Sequence, residues 1–209
     1  MIITIHQIEH LPHISLFKKF AKANIIVLGD TFQFKKNYFE NRNKIKANNK
    51  QGWQWITVPV QSHNHKQMKD IQISYSYDWQ KKYLSSIKFN YEKAIYFCKY
   101  YEDIQYIISK NYKYLRDLNY HLIKIFLKWF NIKKEIILTS ELNLNPELKG
   151  TDLLVEICKK VGADTYLSGA SGRDYLELNK FGDIKVIFHE KEEGLSAIDH
   201  LFRIGGFLE

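Results

Sequence analysis

MIITIHQIEHLPHISLFKKFAKANIIVLGD, residues 1–30, carries the pattern that decides the fold. Ile2 to Ile5 form a short run rich in β-branched side chains, which suits a strand. Phe17, Phe20 and Ala21 then recur at helical spacing after Pro12, a residue suited to a helix start. Asn24 to Leu28 reads as a second strand that leads into Asp30. Strand, helix, strand is the opening of a βαβ unit, and strands joined in this way run parallel. Their carboxyl ends share one side of the sheet, where such folds bind ligands. His6 and Asp30 both lie just past a predicted strand end, so one cleft is expected to receive both.

The next stretch, TFQFKKNYFENRNKIKANNKQGWQWITVPV at 31–60, is dominated by cations. Lys35, Lys36, Arg42, Lys44, Lys46 and Lys50 face one acid, Glu40, before Trp55 to Val60 reads as a third strand through its Trp, Ile, Thr and Val. The segment is therefore expected to be a cationic loop held between two strands. Arg and Lys beside backbone amides make a seat for phosphate or carboxylate.

Beyond a polar loop at Gln61 to Lys69, with His63 and His65, the chain changes character. From about 79 to 131 it is helical and rich in tyrosine, with eleven of the fourteen tyrosines between Tyr75 and Tyr120. Tyr83, Ile87 and Tyr91 stack at i, i+4, whereas Leu115, Leu118, Leu122, Ile125, Phe126 and Trp129 trace a second apolar face. Two or three helices follow, with a break near Asn111. The α/β pattern then returns with strands at 135–139, 165–167 and 183–188 and helices at 151–161 and 195–204. The expectation is a single α/β domain over 1–209: a Rossmann-like parallel sheet with a helical, Tyr-rich insertion and a C-terminal helix.

Composition narrows the setting. Thirty-one Lys and Arg against 23 Asp and Glu give a net charge of +8 and a pI near 9.2, which favours anionic partners. Apolar runs stay short, as at Ile25 to Leu28, far below the roughly twenty needed to span a bilayer, so no membrane insertion is expected. The start MIITIHQ lacks the charged and apolar regions of a secretory signal. Cys98 and Cys158 form no Cys-x-x-Cys and read as core thiols, which suits a cytoplasmic protein.

Two further groupings carry chemistry. Ser168-Gly169-Ala170-Ser171-Gly172-Arg173 lies between a predicted strand and a helix expected around 174–178. Two glycines free the backbone to turn amides inward, Ser168 and Ser171 can donate, and Arg173 can clamp an anion. It is not a nucleophile elbow, because Arg173 stands where that motif has its last glycine. His6, His10 and His13 invite a metal reading, but Pro12 disrupts the one helix that would align them, and no metal is expected. His6 remains as a general base or ligand-binding group.

His6, Gln7, Leu11, Pro12, Asp30, Gln33, Phe34, Asn41, Arg42, Asn43, Lys44, Trp55, Thr57, Pro59 and Val60, in this order, resemble the motif series of the WbqC-like family. The match GADTYLSGASGRDYL at 162–176 extends the likeness over nearly the whole chain. Members of that family occur among genes for O-antigen and other surface polysaccharides. The resemblance implies transfer of glycine or a similar acyl group to the amine of a nucleotide-linked amino sugar. Under that implication His6 and Asp30 are the catalytic candidates. Gln7, Gln33, Lys36, Arg42, Asn43, Lys44, Ser168, Gly169, Ser171, Gly172 and Arg173 are the candidates for holding substrate.

The donor is open between ATP-activated glycine, an aminoacyl-tRNA and an acyl-CoA, so tRNA is a possible partner. A His followed by a helix also resembles the His-containing Rossmann families that include pantothenate synthetase, which join an ATP-activated carboxylate to an amine. The alternative class is a non-catalytic module that binds RNA or a pathway partner through its basic face. Several positions depart from the family's pattern. His10 and His13 stand where it has Tyr and Trp, Tyr83 stands where many members have His, and the segment after Phe188 is short.

Overall fold

β-Branched and aliphatic residues build the strands: β1 Ile2–Gln7, β2 Ile25–Gly29, β3 Arg42–Lys46, β4 Trp53–Thr57, β5 Glu135–Leu138, β6 Thr165–Gly169 and β7 Lys185–His189. The helices are α1 Ile14–Lys22, α2 Trp79–Tyr91, α3 Phe97–Ile108, α4 Leu115–Trp129, α5 Gly150–Val161 and α6 Ala197–Arg203. The structure, a computed structural model, describes residues 1–61, 65–190, 192 and 194–208. Within it the chain divides into two units. The first comprises Met1–Gln7, Ser15–Thr31 and Ile132–Glu193, and the second Ile8–Ile14, Phe32–Asn131 and Gly194–Glu209.

The first unit is the Rossmann-like part. Its five strands are parallel in the order β5-β2-β1-β6-β7, so the N-terminal and C-terminal α/β segments share one sheet. Ile3, Ile26, Val27 and Leu28 have no exposed surface, as expected for central parallel strands covered on both faces. Phe17 and Phe20 of α1 are likewise fully buried. Helix α5 ends at Gly162, whose left-handed φ of 74° lets its N–H reach back to the Cys158 and Lys159 carbonyls.

The second unit holds the insertion as three helices, α2 to α4, together with α6 and the β3–β4 hairpin. Trp79, Tyr83, Ile87 and Tyr91 recur every four residues and form the buried face of α2. Tyr91 and Phe97 pack their rings on Phe202 of α6 at 5.1 and 5.2 Å. Lysines cover several of the remaining tyrosines: Lys110 lies 4.1 Å from the Tyr106 ring centroid and Lys124 lies 5.5 Å from that of Tyr120. The aromatics thus serve packing and cation–π contacts within the unit.

Three expectations change. The third strand is not part of the parallel sheet: β4 pairs antiparallel with β3 in a separate two-stranded sheet, Lys44 opposite Trp55. The expected cationic loop therefore contains a strand. Alternation of Arg42, Lys44 and Lys46 with Asn43 and fully buried Ile45 is the period-two signal of a strand with one buried face. Gly52, at φ 73°, closes the turn. The third change follows β6, where Ala170–Asp174 and Leu178–Phe181 are 3₁₀ turns in place of a helix around 174–178. Gly172 sets that path, because a Cβ there would lie 2.2 Å from Ser168 Oγ.

Candidate functional site

In the first unit, β1 continues leftward to β2 while β6 and β7 lie on its other side, so β1 and β6 flank the topological switch point. Open α/β sheets bind ligands at the carboxyl ends of the strands there. The pairing shows how the gap arises. β1 pairs with β2 through to Gln7 opposite Gly29, but with β6 only at Ile2–Thr165 and Ile3–Tyr166. Past that point the Thr4 hydroxyl, rather than a backbone N–H, donates to the Leu167 carbonyl at 2.8 Å. The strands part, with His6 and Gln7 at one lip and Ser168 and Gly169 at the other.

His6 is half-buried, and its Nδ1 lies 3.2 Å from Nζ of Lys19. An ammonium donates and never accepts, so Nδ1 is the acceptor and Nε2 carries the ring proton. Lys19 itself is only 3% exposed. One turn along α1, Lys22 Nζ lies 3.4 Å from Nδ1 of His189, the last residue of β7. His189 Nε2 lies 3.0 Å from the Ser15 carbonyl and 3.3 Å from the Ser15 hydroxyl. Burial pushes the His189 pKa down, and the Lys22 charge adds to that shift. Two lysines of one helix therefore each donate to a neutral imidazole at a strand's carboxyl end.

Asp30 is fully buried at the end of β2. Its Oδ1 accepts from the Thr139 hydroxyl at 2.9 Å and the Ser140 N–H at 2.8 Å, and its Oδ2 from the Ser140 hydroxyl at 2.7 Å. A carboxylate held by three donors ties the end of β2 to the turn after β5, and proton abstraction there would require breaking those bonds. Ser168 is buried and its hydroxyl donates to the Gly169 carbonyl at 3.2 Å, while Ser171 is exposed. Arg173 pairs with Glu190 through both guanidinium nitrogens and lies 4.7 Å from the Phe188 ring centroid. Any anion at Arg173 therefore competes with a carboxylate already in place.

In the second unit, the outer face of the hairpin carries Arg42, Lys44, Lys46, Trp53 and Trp55. Arg42 Cζ stands 4.0 Å from the Trp55 ring centroid, and Lys44 Nζ stands 4.1 Å from that of Trp53. A guanidinium over an aromatic ring can still bond an anion through its terminal N–H groups. Asn43 points the other way: buried, it donates to the carbonyls of His10 at 3.2 Å and Leu11 at 2.8 Å, holding Leu11 in a left-handed conformation. Its amide is thus engaged in the fold. Gln33 and Lys36 are exposed, and Gln33 reaches His65 at 3.5 Å.

His10 is fully buried between Asn119, 2.8 Å from Nδ1, and Tyr83, 2.6 Å from Nε2. Both ring nitrogens are therefore engaged, and burial lowers its pKa to about 4. Glu40 is 1% exposed with neither carboxylate oxygen hydrogen-bonded among the described residues. Burial first, and the nearby Glu9 charge second, raise its pKa to about 7 against the pull of Lys35. Cys158 is a buried thiol pushed up to about 12 by burial, as a core thiol should be; Cys98 is exposed, contrary to expectation. No group of three or more His, Cys, Asp or Glu among the described residues is placed to hold a metal ion. His63 lies outside the described residues.

Sequence reasoning missed Lys19, Lys22, Ser15 and His189. The signal was present, since His189 follows a predicted strand as His6 does, and Ser15, Lys19 and Lys22 fall at i, i+4, i+7 on one helix. No helix among the described residues is long and apolar enough to cross a membrane. No solved structure matches the chain. The uncharacterized protein Rv1507c of Mycobacterium tuberculosis (strain ATCC 25618 / H37Rv) is 27% identical over 221 residues, covering 97% of this chain and 94% of that protein. A profile built for the WbqC-like protein family matches residues 7–206, and the chain belongs to that family.

Proposed function

We propose that the protein is an amide-forming transferase that joins an acyl or aminoacyl group to the amine of a nucleotide-linked amino sugar for surface polysaccharide, with its chemistry at the carboxyl end of the parallel sheet. The observation that carries this reading is the parting of β1 from β6 beside a His6 ring whose Nδ1 accepts from Lys19. In the reaction the amine nitrogen bonds to the acyl carbon, and the bond to the donor's oxygen or sulfur breaks. His6 gives its Nε2 proton to the departing atom and takes the amine's proton in its place, so the ring ends as it began. Gly169 N–H is the nearby backbone donor for the carbonyl oxygen as it gains charge. Family membership supports the sugar as acceptor only by association.

The test is a product assay. Purified protein and an amino-sugar nucleotide are incubated with glycine and ATP, with glycyl-tRNA, or with acetyl-CoA, and products are read by mass spectrometry. One donor should yield the amide. No product with any of the three across several amino-sugar nucleotides removes the transferase reading.

A second reading, a non-catalytic RNA-binding module, draws on the hairpin, where Arg42 and Lys44 lie over Trp55 and Trp53. Cations interleaved with aromatic rings suit a phosphodiester backbone with stacked bases. RNA binding that falls steeply with salt, without turnover in the product assay, would favour it.

A further inference from the structure

Alternation along the β3–β4 hairpin sends Ile45, Gln54 and Ile56 to the face opposite Arg42, Lys44 and Trp55, since Ile45 pairs with Gln54. Ile45 and Ile56 are buried there, whereas Gln54 is only half-buried. Beside it a groove of about 450 Å³ opens between the hairpin turn and α2. Lys82, Ser85, Phe89 and Asn90 fall at i, i+3, i+7 and i+8 on α2 and form the facing wall, next to that helix's buried face. Hydrogen bonds shape both walls in advance. Asn49 donates to the Trp53 carbonyl at 2.9 Å and accepts from the Gln51 N–H at 3.0 Å, which fixes the turn. Asn90 Nδ2 donates to the Ser86 carbonyl at 2.8 Å, which leaves its Oδ1 as an oriented acceptor.

The chemistry of the walls narrows the ligand. No carboxylate, imidazole or thiol lines the groove, so it does not suit a metal ion. Lys82 supplies its single charge, which is little for a chain of phosphates. Ala47 and Phe89 are its only apolar members, so an apolar ligand would leave the amides and hydroxyls around it unpaired. A ligand dense in hydroxyls fits, because each sugar hydroxyl both donates and accepts, as the Gln54 amide and the Ser85 and Ser86 hydroxyls do. Phe89, 79% exposed, offers a ring on which the C–H face of a pyranose can rest. The volume is that of a small-ligand site. We propose that this groove binds a short saccharide, with Gln54, Ser85 and Asn90 bonding its hydroxyls, Phe89 under one ring and Lys82 donating to a further sugar oxygen. The groove belongs wholly to the second unit, so it is not the site at the carboxyl end of the parallel sheet and does not rest on the transferase reading.

The experiment titrates the isotope-labelled full chain with cellobiose and with a disaccharide of glucuronic acid and N-acetylglucosamine, and records backbone and side-chain amide shifts by NMR. At least one of the two should produce saturable shifts at Gln54, Ser85, Ser86, Phe89 and Asn90. Phe89→Ala should weaken that sugar about fivefold, the size of one lost ring contact. Gln54→Ala should weaken it by a similar factor. Phe89 is exposed, so its variant should keep the parent's circular dichroism and Tm. No saturable shift with either disaccharide, shifts centred outside the groove, or parent-like affinity in both Phe89→Ala and Gln54→Ala would each overturn the proposal. Saccharide binding in the groove without any product in the transferase assay leaves this site standing and removes the transferase reading alone.

Discussion

Lys19 holds His6 in one tautomer: its Nζ lies 3.2 Å from Nδ1, so the ring proton sits on Nε2. Ring nitrogen shifts measured at neutral pH should therefore show an unprotonated Nδ1 and a protonated Nε2. Lys19→Met should mix the two tautomers and reduce kcat more than KM, since the ring would no longer present its proton in every molecule. A ring with the proton on Nδ1 in the parent protein would contradict this arrangement.

His10 Nε2 and the Tyr83 hydroxyl are 2.6 Å apart in a buried pair. His10→Tyr or Tyr83→His alone leaves two like side chains and a broken buried hydrogen bond, and each should cost about 1–3 kcal/mol in denaturant unfolding. The double exchange should recover most of that loss. Additive losses in the double variant would mean the pair is not coupled.

Glu40 and His10 make opposite contributions to stability with pH. The native Glu40 pKa, raised to about 7, exceeds its unfolded value, so its contribution is fully present below the unfolded pKa and is lost as pH rises toward 7. His10, lowered to about 4, contributes above its unfolded pKa and loses that contribution as pH falls toward 4. Glu40→Gln should therefore melt higher than the parent at pH 8, by roughly 1–3 kcal/mol of stability, and lose the advantage near pH 4. An unchanged difference across that range would show that Glu40 does not titrate as described.

Arg42 tests the hairpin separately from the sheet. Arg42→Lys keeps the charge but loses the guanidinium that lies over Trp55, 4.0 Å from its ring centroid, and with it the two-pronged grip. If the hairpin holds an anion, both Arg42→Lys and Arg42→Ala should weaken its binding, the second more, with folding intact. Parent-like affinity in Arg42→Ala would leave Arg42 as a packing residue.

Much of the fold was legible because its signals are local. The β-branched run at Ile2, the helical spacing of Phe17 and Phe20, and the apolar faces of the three inserted helices all depend on neighbours a few positions away. The hairpin was missed because a strand of Arg, Asn and Lys imitates a loop in composition, and only its alternation around Ile45 tells otherwise. Of the candidate site, the position of His6 at the carboxyl end of the first strand was legible, although the strand runs through it to Gln7. The commitment of Asp30 to Thr139 and Ser140, 109 and 110 residues away, was not, because tertiary hydrogen bonds leave no trace in local pattern. Lys19 was hidden for the same reason: a lysine on an amphipathic helix reads as solvated until its partner is known.

The most direct test of a site at the carboxyl end of the parallel sheet is backbone chemical-shift mapping during titration with uridine-diphosphate glucosamine. The account predicts the largest shifts at His6, Gln7, Lys19, Ser168 and Gly169. Shifts confined to the second unit, or no shifts at a saturating concentration of the sugar nucleotide, would contradict it.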